Sequence, residues 1–170
     1  WNLYVEDLDK LLTAVEQREQ GKPVFVLGHS MGGAIAARTA EVHKPAIAGL
    51  ILSGPALAID APPLLLAATR MSGFLTPKFP AFALDNSKFS SDPKNEAVMD
   101  KDEWISNEKA PAKTAAGLVE GMHRIWADVG ALTMPLLAMH GTADALTAPA
   151  GSRMLVEHAK ASDKTLKIYE

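Results

Sequence analysis

A serine between glycines is the feature of this sequence best suited to chemistry. Residues 28–32 read Gly28, His29, Ser30, Met31 and Gly32, which fits the pattern G-x-S-x-G. Such a pattern holds a serine hydroxyl on a sharp turn, and its glycines let the backbone pass close to neighbouring elements. Ser30 is therefore a candidate nucleophile, and the backbone amide of Met31 is a candidate donor to a developing oxyanion.

Other interpretations of this turn imply different chemistry. An ordinary glycine-rich turn would use Ser30 only as a helix cap. A phosphate loop requires lysine where Ala34 stands, although Gly28 and Gly33 have its outer spacing, and the pattern G-x-G-x-x-G is absent. We therefore reject the phosphate-binding patterns and keep the capping turn as the alternative.

Asp144 is the candidate acid that would assist such a serine. A weakly acidic hydroxyl needs a base, and the base needs a carboxylate that fixes its tautomer. Asp144 ends the segment His-Gly-Thr-Ala-Asp directly after an apolar run at 136–139. It would then lie at the carboxyl end of a strand, where open α/β sheets place their sites. The alternative is a loop aspartate that only forms a turn.

None of the five histidines fits the role of the base. His29 is adjacent to Ser30, and its side chain should point away from the hydroxyl, while His43 falls near the far end of the following helix. The others are expected at a strand end or on helices: His140, His123 and His158. His140 and Asp144 have an i, i+4 spacing, but the residues between them indicate a loop, so we expect no metal and no cofactor.

The elements around these residues alternate between helices and strands. Helical spacing of apolar residues predicts a first helix that stops before Gly21 and Pro23. Apolar runs predict strands at 24–27, 49–52 and 136–139, the first of them buried on both faces and central in its sheet. An alanine-rich helix follows the serine turn, and residues 165–169 alternate like a half-covered strand near a sheet edge. This order is typical of an α/β fold with a mostly parallel sheet flanked by helices.

The alternation of helices and strands is interrupted between residues 56 and 127. This segment contains many prolines, an apolar portion and a charged stretch at 92–109. It predicts a helical cap insertion at 56–127 between core segments at 1–55 and 128–170, with a helix that follows Thr114 as its N-cap. Its apolar residues could line a pocket or rest on a lipid surface, or they could only pack the cap onto the core. They are Leu64, Leu65, Leu66, Met71, Phe74, Leu75, Phe79 and Phe82.

Composition excludes several classes of protein. The net charge of −3 without a basic cluster argues against a nucleic-acid partner. No apolar run approaches the roughly 20 residues of a membrane-spanning helix, and no secretory signal is visible. The absence of cysteine excludes disulfides and thiol catalysis. We expect a cytoplasmic protein.

Four segments together resemble the α/β-hydrolase family, in particular its monoacylglycerol lipase and lysophospholipase-like branch. They are the turn at 28–33, the insertion that follows 53–55, the segment at 140–144 and the closing stretch at 159–170. The resemblance implies that Ser30 is the nucleophile, Asp144 the triad acid and Met31 one oxyanion donor, in a Ser-His-Asp acyl-enzyme mechanism on carboxylic esters. It favours a monoacylglycerol over a lysophospholipid, because the insertion offers no basic cluster for a phosphate headgroup.

The resemblance also places the base outside these residues. The histidine of the family follows its last strand, and further strands of its sheet precede the serine strand. Because the chain opens on Trp1 rather than methionine and closes at Glu170, we expect it to be an incomplete hydrolase. We expect the 170 residues alone to be inactive and to associate through the bare edge of the strand at 24–27.

Alternatives remain open within the same fold. A serine aminopeptidase or an amide or thioester hydrolase would use the same triad, whereas Ser30 excludes a haloalkane dehalogenase, which carries a carboxylate at the turn. A non-catalytic binding protein of this fold would have lost the triad. For the esterase, the expected partner is a small acyl ester, with transient contact between the cap and a lipid surface.

Overall fold

A computed structural model describes residues 1–83, 85–105 and 108–170. This part of the chain forms two compact units. The first comprises Trp1–Asp60, Gly121–Ala143 and Thr147–Glu170, and the second comprises Ala61–Glu120 and Asp144–Leu146. The sequence-based boundaries of a core at 1–55 and 128–170 and a cap at 56–127 stay a prediction.

The first unit alternates helices and strands along the chain. Its helices are α1 (Asn2–Arg18), α2 (Met31–His43) and α6 (Pro149–His158), and its strands are β1 (Phe25–His29), β2 (Gly49–Ser53), β5 (Leu136–Gly141) and β6 (Lys164–Tyr169). The second unit contains α3 (Pro63–Leu75), β3 (Pro80–Phe82), α4 (Pro93–Met99) and β4 (Ala110–Pro111). Helix α5 (Ala112–Asp128) contributes residues to both units.

The four strands of the first unit form one parallel sheet in the order β1-β2-β5-β6. One row of the sheet runs through Gly28, Leu52, Ala138 and Leu166. The carboxyl ends of β1 and β5 therefore lie at the same end of the sheet, on either side of β2. The α/β fold class with a parallel sheet, predicted from the sequence, is confirmed, including β6 as a half-covered strand at a sheet edge.

Helix α2 covers one face of the sheet at β1 and β2, and α1 packs on α2. Four alanines make this close packing possible, because their side chains are small and buried: Ala34, Ala36, Ala37 and Ala40. Leu50 and Leu52 of β2 are buried in the same core, with Leu155 of α6.

The burial of the first strand on both faces stays a prediction, because the described residues cover only one face of β1. Val26 and Gly28 are buried beneath α2, whereas Phe25 and Leu27 are 58% and 65% exposed. β1 is an edge strand of the described sheet and pairs there only with β2. On the open face, near the amino ends of the strands, lies a shallow cleft of about 270 Å³.

The second unit is built from helices and one short antiparallel strand pair. Strands β3 and β4 pair Pro80 with Pro111, and Phe82 with Ala110. Arg70 of α3 forms a 2.7 Å ion pair with Glu120 of α5. Helix α5 begins at Ala112, so Thr114 lies inside its first turn and the predicted N-cap is wrong.

Helix α3 has no buried residue, although its sequence is strongly apolar. Leu64 and Phe74 are more than four-fifths exposed, and Met71 and Leu75 are also exposed. Within the described residues, no helix has both the length and the apolar character that crossing a bilayer requires.

An ion cluster joins α2 to the end of α5. The guanidinium of Arg38 donates to Glu41 Oε2 at 3.0 Å, to Asp128 Oδ2 at 2.6 Å and to the carbonyl of Arg124 at 3.2 Å. The Glu41 side chain is fully buried, and among the described residues its Oε1 has no hydrogen-bond partner. Burial raises the pKa of Glu41 from 4.5 to about 7, against the opposing effect of Arg38.

This raised pKa predicts a fall in stability with rising pH. Folding favours the protonated carboxyl, so the contribution of Glu41 is fully present below pH 4.5 and is lost as the pH rises through about 7. Glu41→Gln keeps an acceptor for Arg38 without a buried charge. We expect the melting temperature of the full-length protein to fall less between pH 5 and 8 in this variant than in the wild type. Parallel curves for the two proteins would contradict the assignment.

Candidate active site

Ser30 lies at the strained junction between β1 and α2. Its backbone adopts φ 51° and ψ −123°, a conformation that residues with a side chain rarely adopt. Ser30 is the residue before the first turn of α2, yet its side chain makes no capping hydrogen bond in the described structure. An ordinary capping turn would use that hydroxyl, so this geometry disfavours the alternative. Such strain typically costs about 1–3 kcal/mol and persists only where the surroundings enforce it.

Backbone hydrogen bonds with the last residue of β2 and with the segment after β2 enforce this conformation. The amide of Ser30 donates to the carbonyl of Ser53 at 3.1 Å, and the amide of Ala56 donates to the carbonyl of Ser30 at 2.9 Å. Within the turn, the amide of Gly33 donates to the same Ser30 carbonyl at 3.0 Å. Both backbone groups of Ser30 are thereby satisfied, which leaves its side chain as the group available for chemistry.

The glycines of the turn have unequal roles. A Cβ at Gly28 would lie 2.7 Å from both the carbonyl oxygen of Gly32 and the Cα of Gly33, so the turn has no room for a side chain there. A Cβ at Gly33 would lie 2.8 Å from the Cβ of Pro55. At Gly32 a Cβ would meet nothing within 4 Å. The prediction that both motif glycines avoid a clash therefore holds at Gly28 and is wrong at Gly32.

The Met31 amide is the first donor of α2. Amides in the first turn of a helix lack a partner within the helix, and the helix dipole places positive potential there. Among the described residues, no hydrogen bond of the Met31 amide to the rest of the chain is formed. The amide is adjacent to the Ser30 hydroxyl in the chain, so it is suited to an oxyanion that forms beside that oxygen.

His29 joins the turn to β2. Its Nδ1 lies 2.9 Å from the carbonyl of Ser53, which also accepts from the Ser30 amide. Because a carbonyl oxygen only accepts, Nδ1 carries the hydrogen in this contact. His29 thus supports the turn, and its Nδ1 is not available as a base.

Asp144 lies in the loop that leaves the carboxyl end of β5. It is half-buried and groups with the second unit, and its Oδ1 accepts from the amide of Leu146 at 2.9 Å. This bond is the turn-forming interaction considered as the alternative. The pairing of Asp144 with a base for Ser30 stays a prediction.

Most of the other histidines contact groups elsewhere in the chain. His43 Nδ1 lies 3.2 Å from Asp9 Oδ2, and His158 Nδ1 donates to the carbonyl of Met154 at 2.8 Å. His140 is buried and hydrogen-bonded through both ring nitrogens, whereas His123 is exposed on α5. Among residues 1–83, 85–105 and 108–170, no three His, Asp or Glu side chains are grouped as metal ligands.

Several residues around the turn were not singled out by the sequence analysis. Ser53 and Ala56 hold the turn through backbone groups, which leave no mark on side-chain type. Thr147 and Ser152 are buried hydroxyls that contact His140. Thr147 stands between the apolar residues Leu146 and Ala148, which is a weak signal, whereas Ser152 stands between Gly151 and Arg153 and carries none.

Comparison with known proteins places the whole chain in one family. The family model described as serine aminopeptidase, S33, matches residues 1–170. The chain is 36% identical over 168 residues to a monoacylglycerol lipase of Mycolicibacterium smegmatis, with 98% of this chain and 60% of the relative covered. It is 32% identical over 175 residues to the monoglyceride lipase of Homo sapiens, with 100% and 57% covered.

A solved structure agrees with this family assignment. A monoacylglycerol lipase of Paleococcus ferrophilus superimposes with a TM-score of 0.81 at 30% identity, with 97% of this chain and 65% of that chain covered. The chain spans about 60% of the length of the curated relatives it matches. The family model matches residues 1–170, and the parallel sheet and the serine turn agree with that match. The chain therefore belongs to the serine aminopeptidase S33 family of α/β-hydrolases.

Proposed function

We propose that the full-length protein is a serine hydrolase that cleaves carboxylic esters, with monoacylglycerol as its substrate class. The observation that carries this proposal is the Ser30 side chain, which stands on a strained turn without a capping role, beside the open amide of Met31. The names of the relatives support the choice of substrate, since two of them are monoacylglycerol or monoglyceride lipases.

The proposed reaction is acyl transfer in two steps. The hydroxyl oxygen of Ser30 attacks the ester carbonyl while a base takes its proton, and the Met31 amide donates to the oxyanion. The tetrahedral intermediate collapses to an acyl-serine, and the base returns the proton to the departing glycerol oxygen. Water then attacks the acyl-serine with the same base, which releases the fatty acid and restores Ser30.

We propose that the base is a histidine outside these 170 residues and that Asp144 orients it. The partners of the histidines within the chain support this proposal. His29, His43 and His158 contact Ser53, Asp9 and Met154. Both ring nitrogens of His140 are hydrogen-bonded, to Ser152 and Thr147, so none of these contacts joins a histidine to Ser30 or to Asp144. A carboxylate that fixes the tautomer of a base and stabilises its charged form is the role that Asp144 would have.

A serine aminopeptidase is the second candidate, because the description of the matched family names that activity. The two activities differ in the leaving group and in the need to recognise an amine. The test compares monooleoylglycerol with aminoacyl p-nitroanilides as substrates of the full-length protein. We expect kcat/KM to be larger for the ester by at least about 100-fold, equivalent to about 2.7 kcal/mol in transition-state binding. Faster cleavage of the anilides would overturn the ester proposal in favour of the peptidase.

We further propose that α3 rests on a lipid surface during turnover. Its exposed apolar side chains support this, because burying one such side chain contributes about 1.5–3 kcal/mol. In the same assay, Phe74→Ser should lower the hydrolysis of monoacylglycerol presented in vesicles and leave a soluble p-nitrophenyl ester unaffected. Trp104→Ser is the matched control, because Trp104 is equally exposed but lies beside Asp102 and Glu103. Equal losses on both substrates, or in both variants, would contradict lipid contact through α3.

A further inference from the structure

We propose that His140 and Thr147 are positioning residues, which clamp the loop bearing Asp144 to the segment that holds Ser30. This inference rests on the proposed function, because it assumes that Asp144 acts on the base. Neither residue is expected to touch the substrate. Their role would be to fix where the loop between β5 and α6 returns to the sheet.

His140 supplies one half of the clamp. It lies in β5, is 2% exposed, and its Nε2 lies 3.1 Å from the carbonyl oxygen of Thr147. Since that oxygen only accepts, Nε2 carries the hydrogen, and Nδ1 accepts from the Ser152 hydroxyl at 2.8 Å. The imidazole is thereby held in one tautomer between β5, the returning loop and α6.

Thr147 supplies the other half. Its hydroxyl donates to the carbonyl of Gly54 at 3.2 Å, and the following amide, of Ala148, donates to the carbonyl of Ala58 at 3.0 Å. Gly54 directly follows Ser53, whose carbonyl accepts from the Ser30 amide. A continuous set of short contacts therefore runs from His140 through Thr147 to the segment that fixes the serine turn.

The loop between the two halves is short. Asp144 is four residues after His140 and three before Thr147, and its carboxylate already bonds to the amide of Leu146, the neighbour of Thr147. Both clamp residues are buried, so their hydrogen bonds do not compete with water and losing one leaves a polar group unpaired. Loosening either residue should displace the acid.

Thr147→Val is the sharpest single change, because it keeps the shape of the side chain and removes only the hydroxyl. In the full-length protein we expect kcat for monooleoylglycerol to fall about fivefold to tenfold with KM unchanged. Thr142→Val is the matched control, since Thr142 lies in the same loop with an exposed side chain, and it should keep the wild-type kcat. A Thr147→Val protein with wild-type kcat, or with KM alone changed, would overturn the proposal.

A double-mutant cycle separates positioning from general destabilisation. Asp144→Asn should lower kcat by about 10⁴-fold, as loss of the acid does in other serine hydrolases. In that background Thr147→Val should change kcat less than twofold, because there is no acid left to position. Independent, additive losses would overturn the clamp and leave the proposed function standing. Full activity of Asp144→Asn alone would instead overturn the role of Asp144 in that function.

Two substitutions of His140 test which ring nitrogen matters. Glutamine can place an N–H near the position of Nε2, and asparagine can replace only Nδ1. We expect His140→Gln to retain several-fold more kcat than His140→Asn, with melting temperatures lowered in both. If kcat fell in proportion to the melting temperature in both variants, whether or not the contact with Thr147 is kept, the role of His140 would be merely structural and the proposal would be contradicted.

Discussion

Ser30→Ala removes the hydrolysis of monoacylglycerol by the full-length protein, with an expected loss in kcat of about 10⁴-fold to 10⁶-fold. The change deletes the only side-chain oxygen on the turn and leaves the hydrogen bonds of its backbone to Ser53 and Ala56 in place. The variant should therefore bind substrate with a similar KM. Steady-state kinetics on monooleoylglycerol, with a thermal melt of the same preparation, measure both quantities.

The matched control is Ser53→Ala, which removes a neighbouring hydroxyl but keeps the carbonyl that holds the turn. Its kcat should stay within about threefold of the wild type, since losing one exposed hydrogen bond costs about 0.5 kcal/mol. A further variant, Ser30→Gly, should be equally inactive but more stable by about 1 kcal/mol, because glycine adopts a positive φ without strain. Substantial activity in Ser30→Ala would contradict the nucleophile assignment.

Gly28→Ala has a large expected effect, although it adds only one methyl group. That methyl would overlap the backbone of Gly32 and Gly33, which are not flexible side-chain ends and can give way only if the turn moves. Overpacking of this kind costs about 1–3 kcal/mol of stability. A displacement of the serine by about 1 Å costs about 100-fold in rate. In the full-length protein we expect the loss of stability in thermal melts and the loss of rate in steady-state kinetics.

Gly32→Ala provides the control for the same motif. A Cβ there meets nothing within 4 Å, and replacing glycine by alanine where the backbone conformation permits it stabilises a protein by about 0.4–1 kcal/mol through the unfolded state. The variant should fold at least as stably as the wild type. If Gly28→Ala and Gly32→Ala were equally tolerated, the described geometry of the turn would be wrong.

The sequence predicted the elements that depend on local pattern. Helical spacing before Gly21, the apolar runs at β2 and β5, and the alternation in β6 each match a described element. The serine turn could be predicted because it requires glycine at particular positions. Gly28 confirms this requirement, since the backbone of Gly32 and Gly33 leaves no room for a side chain there.

Features that depend on tertiary context were not predictable in the same way. Within the described residues Phe25 and Leu27 of β1 lie on an open face, and an apolar run alone does not show which elements cover a strand. Thr114 has the residue type of an N-cap, but α5 starts two residues earlier, directly after the strand pair of β3 and β4. The role of His140 depends on Thr147 and Ser152, which are brought to it only by folding.

The position of covalent modification by a fluorophosphonate probe tests the central claim most directly. The probe reacts with an activated serine and remains attached, so peptide mass spectrometry of the labelled full-length protein identifies the residue. We expect a single modified serine at position 30, and we expect Asp144→Asn to slow its labelling strongly. Labelling at a different serine, or no labelling of a folded and pure preparation, would contradict the account.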